Sequence, residues 1–220
     1  MADTTSTAKG GPHAGGPEIK RRDFLHIATG AVGAVGVAAA AWPFISQMEP
    51  SASVVAAGGP MTIDLNKIQP GQQVTVLWRS KPIFIVHRTP EILAKIKEPS
   101  DLAMLRDPDS ENLQQPPYAT NWSRSLTPEY LVLVGICTHL GCIPDYKPDA
   151  GDATMAAGWP GGYFCPCHGS KYDMAGRVFQ GVPAPLNLPV PPYVIKDKTN
   201  LVIGENPEGE SFSLSEVMQL

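Results

Sequence analysis

The sequence predicts an all-β body carried on one N-terminal transmembrane helix and joined to it by a flexible tether. Two observations carry that prediction. An uncharged, apolar stretch over residues 24–45 is preceded by the basic triplet Lys20-Arg21-Arg22, and its length suits a hydrocarbon core of ~30 Å. Beyond it, 23 prolines and 21 glycines across the chain punctuate short β-type runs, the composition of strands joined by long, shaped loops. The 220 residues suffice for one globular domain with extensions. A formal charge of −4, with no basic block outside the N-terminal region, excludes nucleic acid as a partner.

Residues 1–17 are small, polar and glycine-rich and read as a disordered tail. The segment "RRDFL" resembles a twin-arginine export signal, which carries folded proteins across the membrane. The basic triplet places residues 1–23 on the cytoplasmic side and the body outside, with 24–45 as an uncleaved anchor and Trp42 at the interface. A cleaved signal peptide is the competing reading, because "AAAAW" offers small residues, yet the apolar run continues through Phe44 and Ile45. Residues 46–60 lack amphipathic pattern and end in Gly-Gly-Pro; ~10 such residues reach ~33 Å when extended, so they form the tether.

Within the body, residues 61–220, strands are expected at 61–65, 73–78 and 83–88, with a turn near 80–82. Thr89-Pro90-Glu91 is a helix start, Thr at the cap and Pro at the first position, and Pro99-Ser100-Asp101 begins a second short helix. Residues 106–125 are polar and proline-containing and read as a surface loop. "YLVLVGI", residues 130–136, is the strongest strand and runs into Cys137; further strands are expected at 177–179, 193–196 and 201–203, with "VPAPLNLPVPP" as a stiff extended loop.

All four cysteines and two of the five histidines lie in two boxes, "CTHLGC" from Cys137 and "CPCHGS" from Cys165. Two thiolates with two imidazoles satisfy the four ligand positions of a two-iron, two-sulfide cluster; structural zinc accepts the same set. Zinc explains neither the surplus thiol in each box nor the export signal. A redox dithiol is a third reading, against which stand the lack of C-x-x-C and of a βαβ pattern.

"CTHLGC" and "CPCHGSKYD", followed by "PAPLNLPVP", resemble the Rieske iron–sulfur proteins of ubiquinol–cytochrome c oxidoreductase, the bc-type respiratory complex. The resemblance extends from about Arg21 to Gly204 and implies an antiparallel β-sandwich with cluster-binding loops at one tip. It implies one [2Fe–2S] cluster, with Cys137 and Cys165 on one iron, His139 and His168 on the other, and a disulfide between Cys142 and Cys167. Ser170 and Tyr172 hold the family positions that hydrogen-bond a bridging sulfide and a ligand sulfur. His168 makes the quinol hydrogen bond, Leu140 helps to shield the site, and Pro183-Ala184-Pro185 corresponds to a third loop over the cluster. His13, His26 and His87 are not expected to be ligands.

The implied function is to accept an electron from ubiquinol, with coupled proton release, and pass it to a c-type cytochrome. Implied partners are cytochrome b and c-type cytochrome subunits in a dimeric complex of a bacterial inner membrane, the cluster domain being periplasmic. Cluster assembly is cytoplasmic and the disulfide belongs to an oxidising compartment, which a folded-protein export route reconciles. Plastoquinol and menaquinol counterparts share the boxes, as does the small subunit of arsenite oxidase; the helical insert and the permanent anchor favour the ubiquinol enzyme. Two segments depart from the resemblance: the helical insert at 89–125 and a long connection between the boxes containing "KPDAGDATMAAGWPGG".

Overall fold

The computed structural model describes residues 20–49, 51 and 58–219. The expected tail at 1–17 and residues 50 and 52–57 of the tether lie outside these residues. The chain divides into two units, Met1–Ala52 and Ser53–Leu220.

Among its described residues the first unit contains one helix, α1 (Arg21–Ser46), three residues longer at its start than the apolar run, because Lys20 is the extended cap residue before it. None of its residues is buried, and it is long and apolar enough to cross a membrane.

Among its described residues the second unit is built on nine short strands in three antiparallel sheets. Strands β2 (Gln73–Trp78), β3 (Lys81–His87) and β4 (Tyr130–Val134) form a meander with β3 in the middle. In β3 and β4, Ile83 to Val86 and Leu131 to Val134 are buried in unbroken runs, the signature of strands covered on both faces. Each such side chain contributes about 1.5–3 kcal/mol relative to exposure. The second sheet orders β1 (Met61–Asp64), β9 (Asn200–Ile203) and β8 (Tyr193–Lys196), so the strand beginning the body pairs with one near its end, Met61 opposite Ile203. Side chains of both sheets share one core, which Tyr163, Tyr172, Cys137 and Cys165 join from the third.

That third sheet, β5 (Asp145–Lys147), β6 (Gly162–Phe164) and β7 (Lys171–Tyr172), carries the tip. Gly162, at φ 151°, allows β6 to approach the carbonyl of Tyr172, which a Cβ would overlap. Strand β4 ends at Val134, two residues earlier than expected, because Gly135 packs its bare backbone on the ring of Phe84. Residues 177–179 are not a strand: they make only isolated bridges, Leu105 to Phe179 and Tyr172 to Val178.

Helices α2 (Pro90–Lys95) and α3 (Pro99–Leu102) fall where their caps predicted, with the Thr89 hydroxyl accepting from Ile92 N at 3.4 Å. The expected surface loop at 106–125 is instead largely internal. Asp107, Ser110, Gln114, Gln115, Ser123, Arg124 and Ser125 are all buried. They are tolerated because they are paired: the Asp107 carboxylate accepts from Glu111 N, Asn112 N and Asn112 Nδ2 at 2.9–3.1 Å.

Candidate metal centre

The two boxes fold into matching turns. Cys137 N donates to Cys142 O at 2.7 Å and Gly141 N to Cys137 O at 2.9 Å. In the second box, Cys165 N donates to Ser170 O at 2.8 Å and Gly169 N to Cys165 O at 2.9 Å. Gly141 and Gly169 occupy the same position in their turns, with φ 82° and 78°, where a side chain would be strained. Within this repeated frame His139 comes two residues after its leading cysteine and His168 three. The imidazoles nevertheless meet, centroids 4.7 Å apart and nearly perpendicular.

Cys142 and Cys167 are disulfide-bonded, whereas Cys137 and Cys165 are reduced and buried. Burial pushes the Cys165 thiol up, the Cys167 backbone opposes this, and neighbouring Cys137 adds to it. The sulfurs of Cys142, Cys165 and Cys167 also lie within 4.8 Å of one another, but two are bonded to each other and cannot serve as free ligands. The free set is therefore two thiols with two imidazoles, the donors a [2Fe–2S] cluster of mixed ligation takes.

One hydroxyl reaches this set from β7, and a second lies just ahead of that strand. Tyr172 Oη donates to Cys137 Sγ at 3.2 Å and lies 3.2 Å from both Thr138 N and Thr138 Oγ1. Burial and the adjoining Cys137 push its phenol well above the ordinary range, so it stays a neutral donor. Ser170 is buried, and its Oγ accepts from Ala184 N at 3.0 Å. With the oxygen accepting there, its own proton is left to be given elsewhere.

The third loop is drawn in by the same contacts: Ala184 is buried between exposed Pro183 and Pro185, and Thr138 Oγ1 donates to Leu186 O at 2.7 Å. At the outer edge His168 is exposed and His139 half-buried. Leu140 is 71% and Ile143 56% exposed, an apolar rim beside the imidazoles that the fold leaves uncovered. His87 is committed elsewhere, between Ile68 O at 2.8 Å and the Glu129 carboxylate at 2.9 Å, and His26 lies on α1. His13 is outside the described residues.

Two supporting residues escaped the sequence reading. Thr138 sits inside the first box, yet only the fold reveals that it joins Tyr172 to the third loop. Arg124, in the insert, sends Nη1 to Ala175 O and Gly176 O at 3.0 and 3.2 Å. Its Nη2 reaches Leu188 O at 2.8 Å and Gln115 Oε1 at 3.0 Å. One guanidinium thus ties the chain after the second box to the chain after the third loop. Burial pushes it down to about 9, still charged at neutral pH. Arg177 is likewise buried but paired with Asp173 at 2.6 Å.

Residues 11–51 match the family described as the ubiquitinol-cytochrome C reductase Fe-S subunit TAT signal, and residues 93–192 match the Rieske [2Fe-2S] domain. The ubiquinol-cytochrome c reductase iron-sulfur subunit of Allochromatium vinosum is 50% identical, the alignment covering 84% of this chain and 89% of that one. The protein of that name from Blastochloris viridis is also 50% identical, over 85% of this chain and 94% of its own. Among solved structures, a chain from a hyperthermophilic respiratory Complex III shares 29% identity, covering 80% of this chain and 99% of its own, with a TM-score of 0.46. On the identity and span of these relatives, the chain belongs to the Rieske family of ubiquinol–cytochrome c reductase iron–sulfur subunits.

Proposed function

We propose that this chain is the membrane-anchored subunit that accepts an electron from ubiquinol and passes it to a c-type cytochrome. In this reading one [2Fe–2S] cluster is held by Cys137 and Cys165 on one iron and by His139 and His168 on the other. The observation that carries it is the mirrored pair of turns presenting two reduced, buried thiols and two imidazoles in contact. When bound, the cluster supplies a one-electron acceptor whose potential lies high because two neutral imidazoles replace two thiolates.

The remaining chemistry belongs to the chain's own side chains. Exposed His168 would meet the quinol hydroxyl through its outward ring nitrogen, which accepts the hydrogen bond and then the proton only in its deprotonated form. Leu140 and Ile143 supply the apolar rim that excludes water when the tip docks. Tyr172 and Ser170 donate toward sulfur and favour the more negative, reduced state. The disulfide clamps the two turns, and its chemistry supports an oxidising, periplasmic location.

Residues 1–23 are assigned to the cytoplasm, 24–45 to the bacterial inner membrane, 46–60 to the tether and 61–220 to the periplasm. The tether lets the tip serve a quinol site on a cytochrome b subunit and a c-type haem subunit in turn, within a dimeric complex. Electron paramagnetic resonance of the reduced, membrane-purified chain, with a redox titration, tests the assignment. The expected result is a signal of a mixed-ligand [2Fe–2S] centre with a midpoint inside the roughly −150 to +300 mV Rieske range. A silent spectrum with stoichiometric zinc would overturn it.

A further inference from the structure

The turn joining β2 to β3 is Arg79-Ser80, and both residues lie in the left-handed region, at φ 49° and 61°. Two-residue hairpin turns of this conformation favour Asn-Gly, because β-carbons are strained there. Here the strained residue makes a long-range contact. Arg79 Nε donates to Gly58 O at 3.0 Å, and the neighbouring Trp78 Nε1 donates to Gly59 O at 2.9 Å. The Arg79 guanidinium lies over the Trp78 ring, 4.5 Å from its centroid. Trp78 is itself buried, and Gly204 stands where a Cβ would meet the indole at 2.9 Å. Two side chains and a glycine-shaped recess therefore converge on a Gly-Gly pair, by composition the freest point of the backbone before β1.

We propose that Trp78 and Arg79 form a clasp that fixes where, and in which direction, the tether leaves the cluster-bearing body. Gly58, three residues ahead of β1, is then the pivot, and the hairpin turn is its socket. Neither residue is among the candidate ligands; both are positioning residues. The inference rests on the reading that the tip reorients on its tether, and it adds that this reorientation is bounded by a built contact and not by tether length alone. Opening the clasp would add Gly58, Gly59 and Pro60 to the freely turning chain and widen the range of tip orientations.

The test uses the full chain in the membrane-embedded complex. Arg79→Asn deletes the donor while suiting the left-handed turn better than Arg, so it leaves the body folded; Trp78→Phe removes the second donor. Proteolytic cleavage next to Gly58 should quicken about fivefold for each lost hydrogen bond. The orientation spread of the reduced cluster's resonance, recorded in oriented membrane multilayers, should broaden while the spectrum in frozen solution is unchanged. A variant with two glycines inserted just before Gly58 keeps the clasp and lengthens the tether, and should broaden the spread by a separate route. Unchanged cleavage in both variants, or faster cleavage without broadening while the insertion does broaden, overturns the clasp. No broadening even with the insertion overturns the reorienting-tip reading and the clasp with it.

Discussion

Tyr172→Phe removes one proton donor from beside Cys137 and leaves every candidate ligand in place. The Tyr172 hydroxyl has a single proton and two acceptors in reach, Cys137 Sγ and Thr138 Oγ1, each at 3.2 Å. The Thr138 proton is already given to Leu186 O at 2.7 Å, so Thr138 Oγ1 competes only as a neutral acceptor. If Cys137 binds the cluster as proposed, its thiolate is the charged competitor and wins. A hydrogen bond to a charged group contributes ~1.5–3 kcal/mol, which for one electron corresponds to a ceiling of roughly 65–130 mV. Since the oxidised state also feels the bond, the expected shift is tens of millivolts, downward. Ser170→Ala should act in the same direction. Each variant also orphans a buried N–H, Thr138 N in one case and Ala184 N in the other, at a cost of about 1–3 kcal/mol in stability. The two effects separate by assay: a redox titration followed by paramagnetic resonance reads tuning, and denaturant unfolding reads loop support. An intact signal at an unchanged midpoint in both variants would refute the tuning argument, whatever the stability change.

Four other outcomes are expected. Replacing Cys142 and Cys167 together by alanine opens a link across a sequence separation of 25 and should lower unfolding stability by about 3–4 kcal/mol, measured in denaturant under oxidising conditions. Arg124→Met should cost about 2–4 kcal/mol and Arg124→Lys should not restore it, because one ammonium cannot reach the carbonyls of Ala175, Gly176 and Leu188 together. Tyr146, pushed up to about 12 by burial, ionises later in the folded body than in the unfolded chain. Its contribution is therefore complete below pH ~10 and lost as the pH rises toward 12, so the part of the phenolate absorbance that Tyr146→Phe removes should rise together with loss of circular dichroism; a Tyr146 contribution appearing near 10 with structure intact would contradict this. Intact-mass analysis of the membrane-purified chain should retain residues 24–45, and a product beginning near Trp42 would end the anchor reading.

Where the physics is local, the sequence was informative. Caps wrote α2 and α3 into Thr89-Pro90 and Pro99, and β-branched runs wrote β3 and β4 into "IFIV" and "LVLV". The boxes were legible because ligand type and spacing are chemical facts about adjacent residues. What stayed hidden depends on distant chain. Strands β5, β6 and β7 are two or three residues long and contain Asp, Lys and Gly, so no alternation announces them. Polarity made residues 106–125 look exposed, whereas Asp107, Gln115 and Arg124 are polar in order to bridge inside the body. Val178 and Phe179 make Arg177 read as part of a strand, yet its guanidinium donates to Ile96 O at 2.7 Å and Pro108 O at 3.2 Å, far back in the chain. A hydrogen-bond acceptor that lies in another part of the chain leaves no periodic trace.

The pairing of β1 with β9 bears on how the protein is made. β1 is the strand next to the tether, and its partner on the ladder begins only at Asn200, near the end of the chain. Such a contact carries a large loop-closure cost and forms after local hairpins such as β2–β3. During synthesis the signal therefore emerges first while the strand that seals the body emerges last. A chain shortened before Asn200 would leave β1 and its tether unmoored, with an unpaired edge open to aggregation. For an export route that accepts folded cargo, the β1–β9 ladder is thus a seal that closes only once both boxes and the third loop have been made.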